Sequence, residues 1–204
     1  MALKRITAPS TQCVTVDEVK DFLRLQGTTS EDYLIQSFIK SAESYAENYM
    51  KRSINKQQWE LRLDEFPDLD EKVQDIELPR PPLSTVSSEV VVSYVKDTTL
   101  GDTTSVASTA FTIDYYSEPG IIYPSYDNEW PDPKEIPNAV RVTYYSGYST
   151  PANVPEAIKH WVKLRVGSMY ENRESLMVGT GNFISELPHS YVDGLLDEFV
   201  VQSV

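Results

Sequence analysis

The sequence predicts an α+β protein: a small helical bundle drawn from the N- and C-terminal segments, with an antiparallel β-rich insertion between them. Three observations carry this reading. Apolar residues recur at spacings of three and four through Leu34, Ile35, Phe38, Ile39, Ala42, Tyr45, Ala46 and Tyr49. The period then drops to two at Trp59, Leu61 and Leu63, which alternate with Glu60, Arg62 and Asp64. Helical period returns after Pro155, with Ile158, Trp161, Val162, Arg165, Met169 and Tyr170 on one side. A period near 3.6 places such residues on one helix face, and a period of two places them on one face of a strand.

Taken in order, Thr15-Val16-Asp17-Glu18 fits a capping box, in which a hydroxyl and a carboxylate three residues later satisfy the free amides of a starting helix. The stripe behind it, Val16, Val19, Phe22 and Leu23, stops at Gly27. Ser30 is the next N-cap candidate and predicts a helix over about 31–51. Strand-like runs follow at 59–63, 76–78, 86–95, 110–115, 120–123 and 139–145, separated by Pro, Gly, Asp and Ser clusters. Pro155 suits a first helical turn because its missing amide has no partner there. The expected organisation is therefore an N-terminal helical part at 1–53 and a β-rich insertion at 54–150. A C-terminal helix with a docking segment at 151–204 is expected to pack with 1–53 as one helical domain. Neither amphipathic stripe is stable facing water, which is why the two should meet.

The composition narrows the function. Eighteen Lys and Arg against 31 Asp and Glu leave a net charge of −13. Tight phosphate binding draws on cationic contacts that release counterions, so the chain is a poor candidate for gripping DNA, although an acidic wall can let a duplex slide past. No stretch reaches the roughly 20 apolar residues of a bilayer span, and Met1 to Thr11 has no apolar run of a signal sequence, so neither membrane insertion nor secretion is expected. The single Cys13 has no disulfide partner and suits a reducing compartment.

Chemistry finds little material. His160 and His189 are the only histidines, too few for a histidine-based triad with a metal site to spare. His160 reads as an exposed or rim residue. The acidic run Asp64, Glu65, Asp68, Asp70, Glu71 lacks the glycine and closing Glu of a calcium loop. Gly179-Thr180-Gly181 lacks the Lys of a phosphate loop. Pro79-Arg80-Pro81-Pro82 has the spacing of a polyproline ligand, but a rigid connection between strands explains it more simply. No catalytic residue, metal or cofactor is expected. Tyr115, Tyr116, Tyr123, Tyr126, Trp130, Tyr144, Tyr145 and Tyr148 crowd the second half of the insertion. They either fill a tyrosine-rich core or lie partly at a subunit contact, where Tyr and Trp are favoured.

Several segments stand in a fixed order along the chain. The features run from Val14-Thr15-Val16-Asp17-Glu18-Val19-Lys20 and the helix end Tyr45 to Arg52, through Trp59-Glu60-Leu61-Arg62-Leu63-Asp64 and Leu78-Pro79-Arg80-Pro81-Pro82-Leu83. They continue with Val140-Arg141-Val142-Thr143-Tyr144, Gly147-Tyr148 and Val154-Pro155-Glu156-Ala157-Ile158-Lys159, and end with Tyr170-Glu171-Asn172-Arg173-Glu174 and Glu186-Leu187-Pro188. This ordered combination resembles the head-tail connector (adaptor) family of tailed bacteriophages; the resemblance covers about residues 5 to 200 and departs from the family pattern around 100–108 and 180–185.

The resemblance implies a non-enzymatic virion protein of the neck, present in the host cytoplasm during assembly. Its partners would be itself as a ring, typically of twelve copies, the portal protein, a downstream neck or tail-completion protein, and DNA passing without sequence-specific binding. It implies no membrane partner. Another virion part, such as a tail-completion or baseplate protein, and a small phage-encoded hydrolase are the alternatives. Leu176, Val178, Phe183, Ile184 and Leu187 lie beyond the last helical pattern without helical or strand period. With Tyr170, Glu171, Asn172, Arg173 and Pro188 they are the expected portal or subunit interface.

Overall fold

In the computed structural model the capping pattern at Thr15 opens α1 (Val16–Leu23): the Glu18 amide donates to Thr15 Oγ1 at 3.1 Å and the Thr15 amide donates to Glu18 Oε2 at 2.6 Å. The Thr15 amide, with the Thr15 hydroxyl beside it, holds the Glu18 carboxyl below its ordinary range. The structure describes residues 1–25, 27, 29–67, 74–98, 102–172 and 194–202. Two units emerge, one of Met1–Ser10 with Lys56–Ser149 and the other of Thr11–Asn55 with Thr150–Val204.

The second unit is helical. α2 (Asp32–Met50) buries Ile35, Ile39, Ala42, Ala46 and Met50, and α3 (Glu156–Glu171) buries Ile158, Trp161, Val162, Val166 and Gly167. Trp161 is 1% exposed and stacks on Tyr45 with ring centroids 5.7 Å apart, while the Arg165 guanidinium lies over the Tyr45 ring, 5.7 Å from its centroid. Tyr45 is half exposed, so it covers the core edge and does not fill it. Gly167 allows close approach of α1, since a Cβ there would stand 3.3 Å from Leu23 Cδ2. Pro155 occupies the position before the first helical residue, and its carbonyl accepts from the Ile158 amide at 3.1 Å.

Polar residues share the buried stripe of α2. Glu43 Oε1 accepts from the Cys13 amide at 2.6 Å and from Asn55 Nδ2 at 3.0 Å, and Glu47 Oε1 accepts from the Ile54 amide at 2.8 Å. The two carboxylates thus tie the segments before α1 and after α2 to the helix, satisfying amides that burial would otherwise leave costly. Burial pushes the Glu43 carboxyl above its ordinary value.

Near the C-terminus, Leu196 is fully buried, Val201 donates to the Met50 carbonyl at 3.0 Å and Arg52 Nε donates to the Phe199 carbonyl at 3.1 Å. Tyr49 donates to Asp197 at 2.7 Å. Residues 194–202, expected in the docking segment, therefore pack on their own subunit at the end of α2.

The first unit holds two antiparallel sheets. β1 (Ala2–Thr7), β2 (Gln57–Leu63), β8 (Val140–Ser146), β4 (Val91–Val95) and β5 (Thr103–Ser105) lie in that order, and β3 (Ile76–Leu78), β7 (Gly120–Pro124) and β6 (Phe111–Asp114) form the other sheet. Leu3, Leu61, Val142 and Val92 line up across four strands and face a core shared with Ile76, Leu78, Phe111 and Ile122 of the smaller sheet. Trp130 closes that core, stacked on Phe66 at 4.9 Å, and its Nε1 donates to the Gln74 carbonyl at 2.8 Å. The Pro79–Pro82 stretch is a connection pinned to β8: Tyr144 donates to the Pro79 carbonyl at 2.7 Å and Gly147 donates to the Pro82 carbonyl at 2.8 Å.

Three elements differ from the sequence expectation. Residues 1–10 belong with the β unit, because β1 pairs along β2, although the expectation placed them in a helical part. β5 was not anticipated, since Thr-Thr-Ser has no apolar alternation. The run at 86–95 is a short 3₁₀ turn at Ser87–Glu89 followed by β4.

Two outcomes follow for the helical unit. Trp161→Ala should cost about 3–5 kcal/mol, as truncation of a buried Trp does, and so lower the melting temperature by roughly 10 °C for a chain of this size; an unchanged thermal melt would refute the packing role. For Glu43, the folded chain keeps its proton above the ordinary glutamate value of 4.5 while the unfolded chain releases it. Its contribution to stability therefore falls as pH rises through the window that opens there. Glu43→Gln preserves the acceptor oxygen, so denaturant unfolding of the variant should lose less stability than wild type between acid and neutral pH. Parallel pH curves would show that Glu43 titrates normally.

Candidate interface surfaces

Among the described residues, Cys13 and Asp64 hold structural roles. Cys13 is buried, and desolvation, with Glu43 adding to it, pushes its thiol far above the range where a thiolate forms. His160 is exposed and meets Phe22 edge to face at 6.2 Å. Asp64 accepts from the Asn138 amide at 2.8 Å, fixing the loop after β2. Among the described residues no group of three His, Cys, Asp or Glu is placed to hold a metal ion, and no helix is long and apolar enough to cross a membrane. His189, residues 179–181 and the acidic residues at 68–71 lie outside the described residues.

The aromatic residues of the insertion divide. Tyr144 and Trp130 are core residues, and burial raises the Tyr144 phenol well above its ordinary value. Tyr115, Tyr145 and Tyr148 are half-buried. Tyr116 is 99% and Tyr126 93% exposed, with Tyr123 less so. Tyr116 stands on a loop fixed by Asp114, whose Oδ1 accepts from the Tyr116 amide at 2.8 Å and whose Oδ2 accepts from Ser117 Oγ at 2.6 Å. Those donors draw the Asp114 carboxyl below its ordinary range. On the helical unit Tyr33 is 87% exposed. Such side chains offer large contact area at low entropic cost.

Of the expected interface residues, Tyr170 and Glu171 end α3, and Asn172 caps it through its amide and side chain, both donating to the Ser168 carbonyl at 3.0 and 3.2 Å. The Tyr170 hydroxyl donates to the Glu31 carboxylate just ahead of α2. Arg173, Leu176, Val178, Phe183, Ile184, Leu187 and Pro188 lie outside the described residues.

One surface escapes a reading of the sequence. The register sets Lys4 opposite Glu60 and Arg62 opposite Arg141, all on the face of the five-stranded sheet turned away from the core. Glu60 is nearly buried and serves both guanidiniums, with Arg62 Nε at 2.7 Å and Arg141 Nε at 3.5 Å. Residues 79 positions apart in the chain give no local signal of such a pairing.

Known proteins bear on this arrangement in two ways. No curated protein matches the chain. Among solved structures, the chain is similar to a protein in the neck of an empty GTA particle computed with C6 symmetry, at 22% identity and a TM-score of 0.75. It is also similar to chains of the virion of a native gene transfer agent particle (20%, TM-score 0.73) and of the native GTA neck computed with C12 symmetry (18%, TM-score 0.71). Each similarity covers 100% of this chain and 97% of the other, and at such identities it establishes the α+β fold. The family model of the phage gp6-like head-tail connector protein matches residues 13–118, which take in α1, α2, β2 and most of the insertion. With just over half of its length matched, the chain belongs to the phage gp6-like head-tail connector family.

Proposed function

We propose that this protein is a non-enzymatic connector subunit that assembles as a ring under the portal, joins it to a downstream neck or tail-completion protein and surrounds the DNA channel. The observation that carries this reading is the family match over residues 13–118, on a fold in which buried Cys13 and Glu43 serve packing. The neck and virion assemblies of the similar structures, one computed with C12 symmetry, support a ring. Exposed Tyr33, Tyr116 and Tyr126 supply the kind of surface that subunit contacts use.

The end of α3 and the stretch beyond it, from Tyr170 to Pro188, are proposed as the portal or neighbour contact. Support comes from the aperiodic apolar residues there, which need cover. The net charge of −13 favours a channel through which a duplex moves without being held.

Mass measurement of the purified chain, alone and mixed with portal rings, tests the main reading: portal-bound higher-order species are expected, and a chain that stays monomeric in both cases sinks it. Phe183→Ser combined with Ile184→Ser should leave the melt intact and abolish joining to portal-bearing heads, whereas normal joining would remove 170–188 from the interface. Near physiological salt the free protein should show no retention of duplex DNA; submicromolar, salt-sensitive binding would contradict a non-gripping channel.

A further inference from the structure

Within the β unit, the outer face of the five-stranded sheet is a local reversal of the chain's charge. Two rows cross it: Lys4, Glu60, Thr143 and Val91 in one, Ala2, Arg62, Arg141 and Ser93 in the other. Three cations thus surround one carboxylate, on a chain that is otherwise strongly acidic. Like charges directly opposite each other on a sheet are unfavourable, and Glu60 relieves only part of the Arg62–Arg141 repulsion. The nearer contact is to Arg62, and the Nε of Arg141, itself buried 3.5 Å from Glu60, has no hydrogen-bond partner among the described residues, so a further carboxylate would meet this guanidinium through its outer nitrogens. The neighbouring side chains Ala2, Ser93 and Thr143 are small and Val91 is exposed, so the outer ends of both guanidiniums are reachable. Both arginine side chains are 41% exposed.

We propose that this face is the surface on which a second copy of the chain docks, through carboxylates of its exposed loop at 127–135. That loop carries Asp127, Glu129, Asp132 and Glu135 against the single Lys134, and all four acids are exposed. Guanidinium forks match carboxylates in bidentate geometry, and an acidic partner would complete the neutralisation that Glu60 begins. Each copy presents one cationic face and one acidic loop, so the contact is head-to-tail, the type that closes into a ring. The inference rests on the ring reading above and names the surfaces that make the ring.

The test uses two charge-reversed full-length chains, Arg62→Glu with Arg141→Glu, and Glu129→Lys with Asp132→Lys, each compared with wild type by sedimentation velocity with and without portal. Either variant alone should need at least about tenfold higher concentration to assemble, as truncation of close charge pairs does, and an equimolar mixture should recover, because each reversed surface then meets its complement. Assembly of the arginine variant at wild-type concentration overturns the inference, as does a mixture that fails to recover. Wild type that never assembles, even with portal, overturns the ring reading and this contact together. Should the arginine variant assemble normally while losing an affinity for duplex DNA that wild type shows, the face serves nucleic acid and the inference fails. Where reversal disturbs the thermal melt, Arg62→Gln with Arg141→Gln reads the same loss without placing two more carboxylates beside Glu60.

Discussion

Antiparallel pairing of β2 with β8 sets Gln57 opposite Ser146, and most of the architecture follows from that register. It brings together the two ends of an excursion of roughly ninety residues, so the chain can leave the helical segments after Asn55 and return to them at Thr150. Closure entropy grows only slowly with loop length, so the length of the insertion matters less than the pairing that ties its ends. The same two strands lie inside the larger sheet: β1 adds along β2 and β4 along β8. A slip of β2 by one residue would turn Leu61 outward and Glu60 and Arg62 into the core, an exchange that burial forbids.

The helical unit solves a different problem. A stripe of Ile, Ala and Met on α2 packs well, but the segments entering and leaving the helix bring buried amides with them. Glu43 and Glu47 accept from those amides. The cost is a carboxyl held above its ordinary value by desolvation, partly offset by the hydrogen bonds from Cys13 and Asn55. A buried polar group that fixes chain path in this way contributes specificity at least as much as stability.

How far the sequence could be read depended on whether a signal was local. The capping box at Thr15, the stripe of α2, the alternation in β2 and the helix after Pro155 all express periodicities that one segment contains, and the structure carries each of them. β1 and β5 were invisible because an edge strand buries little and needs no alternation. Glu43 and Glu47 sit at the correct helical spacing for burial, yet a carboxylate reads as solvent-facing until its amide donors, Cys13 and Ile54, are known. The aromatic run could not be sorted from sequence either: Tyr115 and Tyr116 are adjacent, but one is half-buried beside the core and the other stands on a turn. The outer-face arginines depend wholly on strand register, and the expected contact at Arg173 to Pro188 falls outside the described residues.

Total charge and local charge act over different distances, and this bears on how an acidic subunit can associate with itself. At physiological ionic strength interactions fade beyond roughly 8 Å, so a net charge of −13 spread over the surface repels a second copy only weakly until the two nearly touch. At contact the groups within a few ångströms decide the sign. A face with Lys4, Arg62 and Arg141 around one nearly buried Glu60 reverses the local sign there, while an excess of carboxylates remains over the rest of the chain. Repulsion elsewhere then works as selection among orientations, since like charges brought together discriminate against wrong pairings. Strong net acidity and ordered self-association are therefore compatible, provided the cationic residues are gathered on one face instead of dispersed.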